Sequence, residues 1–320
     1  MAAPVDRLVG VLNGLIGDHL ARSRNELATR MGLVHRGALV PLDRAALAAA
    51  YPEARPRVIV LVHGLMGTEN NWRFADGRDD YGAALAGDLD ATALYVRYNT
   101  GLPITDNGAA FAALLEALLD VYPVDIAELT LVGHSMGGLV IRGACHAGAE
   151  AGHRWLGRVK RAIYVGTPHR GAPLERIGRV VAGVLEAVPD PYTKLLAQIA
   201  NLRSDGIKDL GDADVRHEDR ARRVTSLALR DARHPVPLLP SIEHYLIAGT
   251  IATAPWLTAL FGDAIVPLAS ATDGAARPGG PLRPSHVAIV PGVGHLELAH
   301  HPAVGEQLRA WCRGAAEATP

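Results

Sequence analysis

Residues Glu128–Val140 read ELTLVGHSMGGLV. An apolar run rich in β-formers breaks off in Gly133-His134-Ser135-Met136-Gly137-Gly138, and a helical pattern follows. Strand, sharp turn and helix with a serine at the apex is the form G-x-S-x-G. Its two glycines keep Cβ atoms off a tight backbone so that a strained serine can expose its hydroxyl above a sheet. Ser135 is therefore the candidate nucleophile. The reading stands or falls on whether the rest of the chain supplies a sheet, a base, an acid and an oxyanion site in the matching order.

The sheet begins upstream with RVIVLVH (Arg57–His63), an apolar run of the kind buried on both faces of a parallel sheet. It ends in His63-Gly64-Leu65-Met66-Gly67, a glycine-rich turn that can aim a backbone N–H at a developing oxyanion, with Leu65 placed to supply it. Asn70–Asp80 reads as a loop whose Trp72 and Phe74 either line a pocket mouth or pack beneath it. The pattern then predicts a helix over Tyr81–Leu89 and a strand over Thr92–Tyr98. A second helix is predicted over Asp106–Tyr122, capped near Asp106 or Asn107 and ended by Pro123. With the serine strand, this alternation implies a parallel sheet with right-handed crossovers.

After the serine, the helix continues over Leu139–Ala149, and a strand over Val159–Val165 runs into Gly166-Thr167-Pro168-His169-Arg170-Gly171. From Ala172 to about Pro240 the alternation stops. Leu174, Ile177, Val180, Val181, Val184, Leu185 and Val188 form an amphipathic stripe there, and Leu195, Leu196, Ile199 and Leu202 predict a second helix. A helical insertion leaving the sheet at its carboxyl edge is expected to cap Ser135 and offer substrate an apolar wall. The charged run Asp212–Arg223 carries mixed signs and reads as solvated surface. Strands resume at HYLIAG (His244–Gly249) and HVAIV (His286–Val290), and a helix over Pro302–Ala316 closes the chain.

A hydroxyl needs an adjacent base, and that base needs an acid to fix its tautomer and stabilise its charged form. Where the serine sits in a G-x-S-x-G turn, the acid and then the histidine are sought later in the chain, each on a turn after a strand. Asp263 follows the HYLIAG strand, and His295 ends the next one in the turn Pro291-Gly292-Val293-Gly294. Among rivals, His286 starts that strand, His300 and His301 lead into the final helix, Asp273 lies further on in a Gly/Pro-rich loop, and Asp190 sits in the insertion.

The first fifty residues form an extension to the domain expected over residues 51–320. Val5–Leu27 carries apolar residues at helical spacing with Gly10, Gly14 and Gly17 along one edge. This amphipathic helix is expected to dock on its own core; peripheral contact with a membrane or partner is the alternative. A hairpin over Met31–Leu42 turns near His35-Arg36-Gly37.

In a chain of 320 residues, 32 Lys+Arg against 33 Asp+Glu give a net charge of −1, which supplies no electrostatic reason to expect nucleic acid as a partner. The two cysteines, Cys145 and Cys312, have no metal-ligand spacing and form no disulfide framework. LVGVLNGLIG is interrupted by Asn13, runs into Asp18-His19 and is followed by no A-x-A-type cleavage site, so a cytoplasmic location is expected. No cofactor is called for, and the oligomeric state is left open.

HGLMG, GHSMGG, VGTPHRGAP, GDAIVP and GVGH together resemble the α/β-hydrolase superfamily, in particular its bacterial lipase and esterase branch, which is similar to GPI inositol-deacylase domains. The resemblance runs from about Arg57 to the C-terminus. It implies a mostly parallel sheet flanked by helices with an inserted cap. It also implies Ser135 as nucleophile, Asp263 as acid, His295 as base, and the N–H groups of Leu65 and Met136 as oxyanion donors. The motifs are much less specific for substrate than for fold; the apolar insertion helices favour hydrolysis of an acyl lipid or other small apolar ester, with an acyltransferase, a thioesterase or amidase, or a non-catalytic binding protein on the same fold as the alternatives. One departure is Asp263-Ala264 where lipases often have Asp-Gly, a change not expected to affect the acid.

Overall fold

The computed structural model describes residues 4–74, 79–172, 178, 204–212, 238–251, 262–272 and 286–313. Helix α1 (Pro4–Arg22) leads into a hairpin of β1 (Gly32–His35) and β2 (Ala38–Val40), followed by α2 (Arg44–Ala50). Alternation then runs through β3 (Arg57–Val62), α3 (Tyr81–Leu89), β4 (Thr92–Arg97), α4 (Ile104–Val121), β5 (Glu128–His134), α5 (Met136–Ala151) and β6 (Val159–Val165). Helix α6 (Asp205–Asp212) precedes β7 (Glu243–Thr250), and the short α7 (Leu268–Ala271), β8 (Val287–Pro291) and α8 (Pro302–Arg313) complete the order.

The eight strands form one sheet in the order β2-β1-β4-β3-β5-β6-β7-β8. All pairings from β4 to β8 are parallel, and the hairpin joins β4 antiparallel. The N-terminal hairpin is thus an edge of the main sheet. Its turn closes as predicted, with Arg36 and Gly37 both at positive φ (51° and 85°), the backbone twist that matches paired strands.

The period-two side-chain alternation of a strand splits the core into two layers. Val58, Val60 and Val62 of β3 face one way, with Leu129 and Leu131 of β5, and pack against Phe111, Leu115 and Leu118 of α4 and Val140, Ile141 and Ala144 of α5. Ile59 and Leu61 face the other way, with Val132, Ile163 and Ile247, and meet Leu85 and Leu89 of α3 and Val304 and Leu308 of α8. Helices on both faces leave the carboxyl ends of the parallel strands as the open edge where loops gather a site. Cys145 and Cys312 are free thiols buried in these helical layers, as their sequence positions imply.

Two expectations need correction. The first helix ends at Arg22, not Leu27, because Arg24 turns left-handed (φ 53°) and the Asn25 N–H donates back to the Leu20 carbonyl at 2.9 Å. Its apolar stripe is spent internally: Val11 and Leu15 are fully buried against Leu65, Met66, Ile104 and Met136. The helix thus docks on the protein's own core, as expected. Helix α4 starts at Ile104 behind Pro103, with no local side-chain cap; Asn107 Nδ2 donates instead to the Asn99 carbonyl at 2.9 Å. The buried Ile104 N–H, which has no intrahelical acceptor, is taken by Asp209 Oδ2 of α6 at 3.0 Å, a cap supplied from far along the chain.

Of the expected insertion, the described residues include Ala172, Gly178, 204–212 and 238–240. The stripe from Leu174 to Val188 and the helix over Leu195–Leu202 lie outside the described residues, as do Asp190 and Asp273. Among the described residues, no helix is long and apolar enough to cross a membrane.

Candidate active site

Ser135 stands between the end of β5 and the first residue of α5 at φ 52° and ψ −122°, a conformation that costs a side-chain-bearing residue free energy and persists only where its surroundings hold it. They do. Its N–H donates to the Val165 carbonyl at the end of β6 at 2.8 Å. A Cβ on Gly133 would lie 2.6 Å from the Gly138 nitrogen, and one on Gly137 would lie 2.2 Å from the Val62 carbonyl oxygen. Both motif glycines therefore permit the backbone contacts that make the turn, as the sequence pattern requires.

His295 and Asp263 arrive from the turns after β8 and β7. His295 Nε2 lies 2.8 Å from Ser135 Oγ, and His295 Nδ1 lies 2.7 Å from Asp263 Oδ2. The other carboxylate oxygen, Oδ1, accepts the N–H groups of Ile265 at 3.0 Å and Val266 at 2.7 Å. With Asp263 the acceptor on both oxygens, Nδ1 of His295 is the donor and Nε2 is left to accept from the serine hydroxyl. The two turns are also tied directly, because the His295 N–H donates to the Asp263 carbonyl at 3.1 Å. All three side chains are buried, with Ser135 6 % exposed. The sequence thus named three residues that the fold brings into one hydrogen-bonded row.

Leu65 lines the same cleft as Ser135, and Met136 follows it in the chain. In the Gly64–Gly67 turn the Met66 N–H donates to Thr100 Oγ1 at 3.1 Å and the Gly67 N–H to the Gly64 carbonyl at 3.1 Å. Among the described residues, no acceptor takes the Leu65 N–H or the Met136 N–H. Met136 opens α5, where first-turn N–H groups lack intrahelical partners and the helix dipole favours negative charge. The adjoining cleft is walled by Leu65, Pro168, Ala172, Leu210, Val266 and Leu296, with Asn71 and His134 as its polar contribution.

Some of this was not evident from the motifs. Leu210 reaches the cleft from α6, whose partners are distant in sequence. His134 Nε2 donates to the His295 carbonyl at 3.0 Å, and burial, reinforced by the neighbouring His295, pushes its pKa down to about 3. It is therefore a neutral donor at ordinary pH. Trp72 is fully buried against Tyr81 and His134, with ring centroids 6.0 and 6.3 Å away, so it packs beneath the loop, whereas Phe74 borders a separate cleft with Tyr81, Leu85 and Arg309. The rival His286 points to the His244 carbonyl at 3.1 Å, at the start of β8 and away from Ser135. Among the described residues, no group of three or more His, Cys, Asp and Glu side chains is placed to hold a metal ion.

A mostly parallel sheet with a serine on a strained strand-to-helix turn, and a histidine and an aspartate on later turns, is the architecture of an α/β hydrolase. The chain belongs to the Alpha/beta hydrolase family, whose model matches residues 59–306. No curated protein matches it in sequence. Among solved structures it is similar to the mature form of the Bacillus licheniformis lipase BlEst2, at 20 % identity over 82 % of this chain and 93 % of that one, with a TM-score of 0.49. It is also similar to a Pyrobaculum calidifontis esterase, at 16 % identity over 98 % and 93 % of the two chains, with a TM-score of 0.46. The Vlm2 thioesterase domain follows at 16 % identity over 81 % and 93 %, with a TM-score of 0.40. At these identities the likeness is one of fold.

Proposed function

We propose that this protein is a serine hydrolase of carboxylic esters, with Ser135 as nucleophile, His295 as base, Asp263 as acid and the Leu65 and Met136 amides as oxyanion donors. The observation that carries the reading is His295 bridging Ser135 Oγ at 2.8 Å and Asp263 Oδ2 at 2.7 Å. His295 Nε2 removes the hydroxyl proton as Oγ attacks the ester carbonyl. The two amides receive the oxyanion of the tetrahedral intermediate, and its collapse expels the alcohol, which takes the proton from His295. Water activated by the same histidine then attacks the acyl-enzyme, releases the carboxylic acid and restores Ser135.

The substrate this reading assigns is an apolar ester, such as an acyl lipid. Leu65, Pro168, Ala172, Leu210, Val266 and Leu296 offer the acyl chain apolar surface, and the polar groups beside them gather around the reacting atoms. We assign the segment from Ala172 to about Pro240 the role of a cap over Ser135; α6 belongs to it, and its Leu210 borders the cleft.

Hydrolysis of a p-nitrophenyl ester series from short to long acyl chains, by the intact protein and by Ser135→Ala, tests the assignment. The expected result is turnover that depends on Ser135 and improves with acyl length. Equal turnover by the two proteins would rule the nucleophile out.

A further inference from the structure

Helix α1 lies outside the family-matched residues 59–306, yet it presses on the turn that carries Leu65. Gly14 is the point of closest approach. A Cβ there would fall 2.3 Å from Met66 Cγ and 3.1 Å from Met66 Cα, and one on Gly10, a helical turn earlier, would fall 3.0 Å from Thr68 Cγ2 and 3.1 Å from the Gly67 carbonyl oxygen. Met66 itself is held in the left-handed region at φ 59°, with its N–H on Thr100 Oγ1 at 3.1 Å. The far side of Gly14 is fixed as well, because its carbonyl accepts the Ser204 hydroxyl at 2.7 Å.

We propose that Gly14 is a positioning residue: by letting α1 lie flat on Met66, it sets the backbone of the Gly64–Gly67 turn and so the direction of the Leu65 N–H. The proposal rests on the oxyanion role given to Leu65 above. The Leu65 N–H lies in the Gly64–Leu65 peptide plane, whose tilt is set by the course of the turn, and Met66 is the next residue along it, strained and anchored. Relieving a 2.3 Å approach to ordinary van der Waals contact takes a movement of about 1 Å. Misplacement of that size in a reacting constellation costs up to about a hundredfold in rate. A donor that binds charge only as it develops affects kcat more than KM.

The test uses full-length protein and two readouts: ester turnover, and the rate at which a fluorophosphonate labels Ser135. In the labelling step Ser135 Oγ bonds to phosphorus, the P–F bond breaks, fluoride leaves and His295 takes the proton, so the same oxyanion donors are used without any ester. For Gly14→Ala we expect about a tenfold or greater loss in both kcat and labelling rate, with KM within about twofold of the parent. Replacing Met66 by Ala in that background removes the obstructing Cγ and is expected to recover at least half of the loss on a logarithmic scale. Where Gly14→Ala does not fold, Gly10→Ala carries the test, with about a threefold loss in kcat and labelling at unchanged KM. A folded Gly14→Ala or Gly10→Ala protein with parental kcat and labelling rate overturns the proposal, as does a loss confined to KM. If the parent labels at Ser135 but cleaves no ester, the ester-hydrolase reading fails while the labelling rates still decide the role of Gly14.

Discussion

The His295 carbonyl accepts a hydrogen bond from His134 Nε2 at 3.0 Å, so the residue before the serine holds the backbone of the histidine that faces that serine. The His295 N–H is held at the same time by the Asp263 carbonyl at 3.1 Å. Both backbone groups of His295 are thereby fixed, which restricts how its ring can leave the row. Replacing His134 by Ala is expected to lower kcat about tenfold, with little change in KM, because it frees the backbone and leaves a buried carbonyl unpaired. Gln, whose amide can reach the same carbonyl, should restore most of the loss. Steady-state kinetics of the two variants checks this; equal losses would remove the hydrogen bond from the account.

Asp263→Asn should cost about 10⁴-fold in kcat, the scale seen when the orienting carboxylate of a Ser-His-Asp site is amidated. The amide can no longer accept from both Nδ1 and the Ile265 and Val266 amides, so His295 loses the tautomer that leaves Nε2 free for Ser135. Turnover by the purified variant, alongside its thermal melt, separates this from unfolding. A loss smaller than about tenfold contradicts the assigned role.

Much of this site was legible because its requirements are local. G-x-S-x-G constrains backbone contacts within a few residues, and strand-then-turn order places Asp263 and His295 without knowledge of the fold's interior. What escaped notice depends on distant partners. The Asp209 cap on α4 joins residues 105 apart in sequence, Ser204 reaches Gly14 across 190, and His134 reaches His295 across 161. No periodicity encodes such pairings. The α1 stripe illustrates the complementary difficulty, since an amphipathic pattern states that a face is covered and not by what; here Leu65, Met66 and Ile104 cover it.

Ala264, where lipases often have glycine, leaves the Asp263 carboxylate in place beside His295, yet its own backbone is strained. It sits at φ 80°, where an L side chain is strained and glycine is not. Ala264→Gly should raise stability by about 0.5–1 kcal/mol, the strain relieved less the entropy that glycine adds to the unfolded chain. A higher urea midpoint at unchanged slope is the expected observation, and a lower midpoint would contradict it.

Acid should destabilise the fold through its buried histidines. Burial pushes His63 and His244 down to about 4 and His134 to about 3, and it lowers His169 as well, with the Arg142 guanidinium adding to the effect. These groups bind protons more readily unfolded than folded. Their contribution is therefore fully present above about pH 6.5 and is lost as pH falls toward the folded-state values, at about 1.4 kcal/mol per pH unit for each. Denaturant midpoints should accordingly drop steeply between pH 6.5 and 5, and a flat profile over that range would contradict the neutral, buried assignment.

Leu210 borders the cleft from α6, which is held at Asp209 by the Ile104 N–H and at Gly206 by the Gly101 carbonyl at 3.0 Å. A wall anchored in this way should set acyl length. Leu210→Ala should shift the kcat/KM optimum toward longer chains, and Leu210→Trp toward shorter ones, by about 10-fold in the ratio of long to short esters. An unchanged chain-length profile in both variants would place the specificity elsewhere.

The central claim is that Ser135 carries the acyl group. Rapid acid quenching of the protein with p-nitrophenyl butyrate, followed by peptide mass spectrometry, tests it directly. The account predicts a butyryl group on the peptide containing Ser135, accumulating in step with the early release of p-nitrophenol and absent from Ser135→Ala. Ester turnover with the label on another residue, or undiminished in Ser135→Ala, would contradict it.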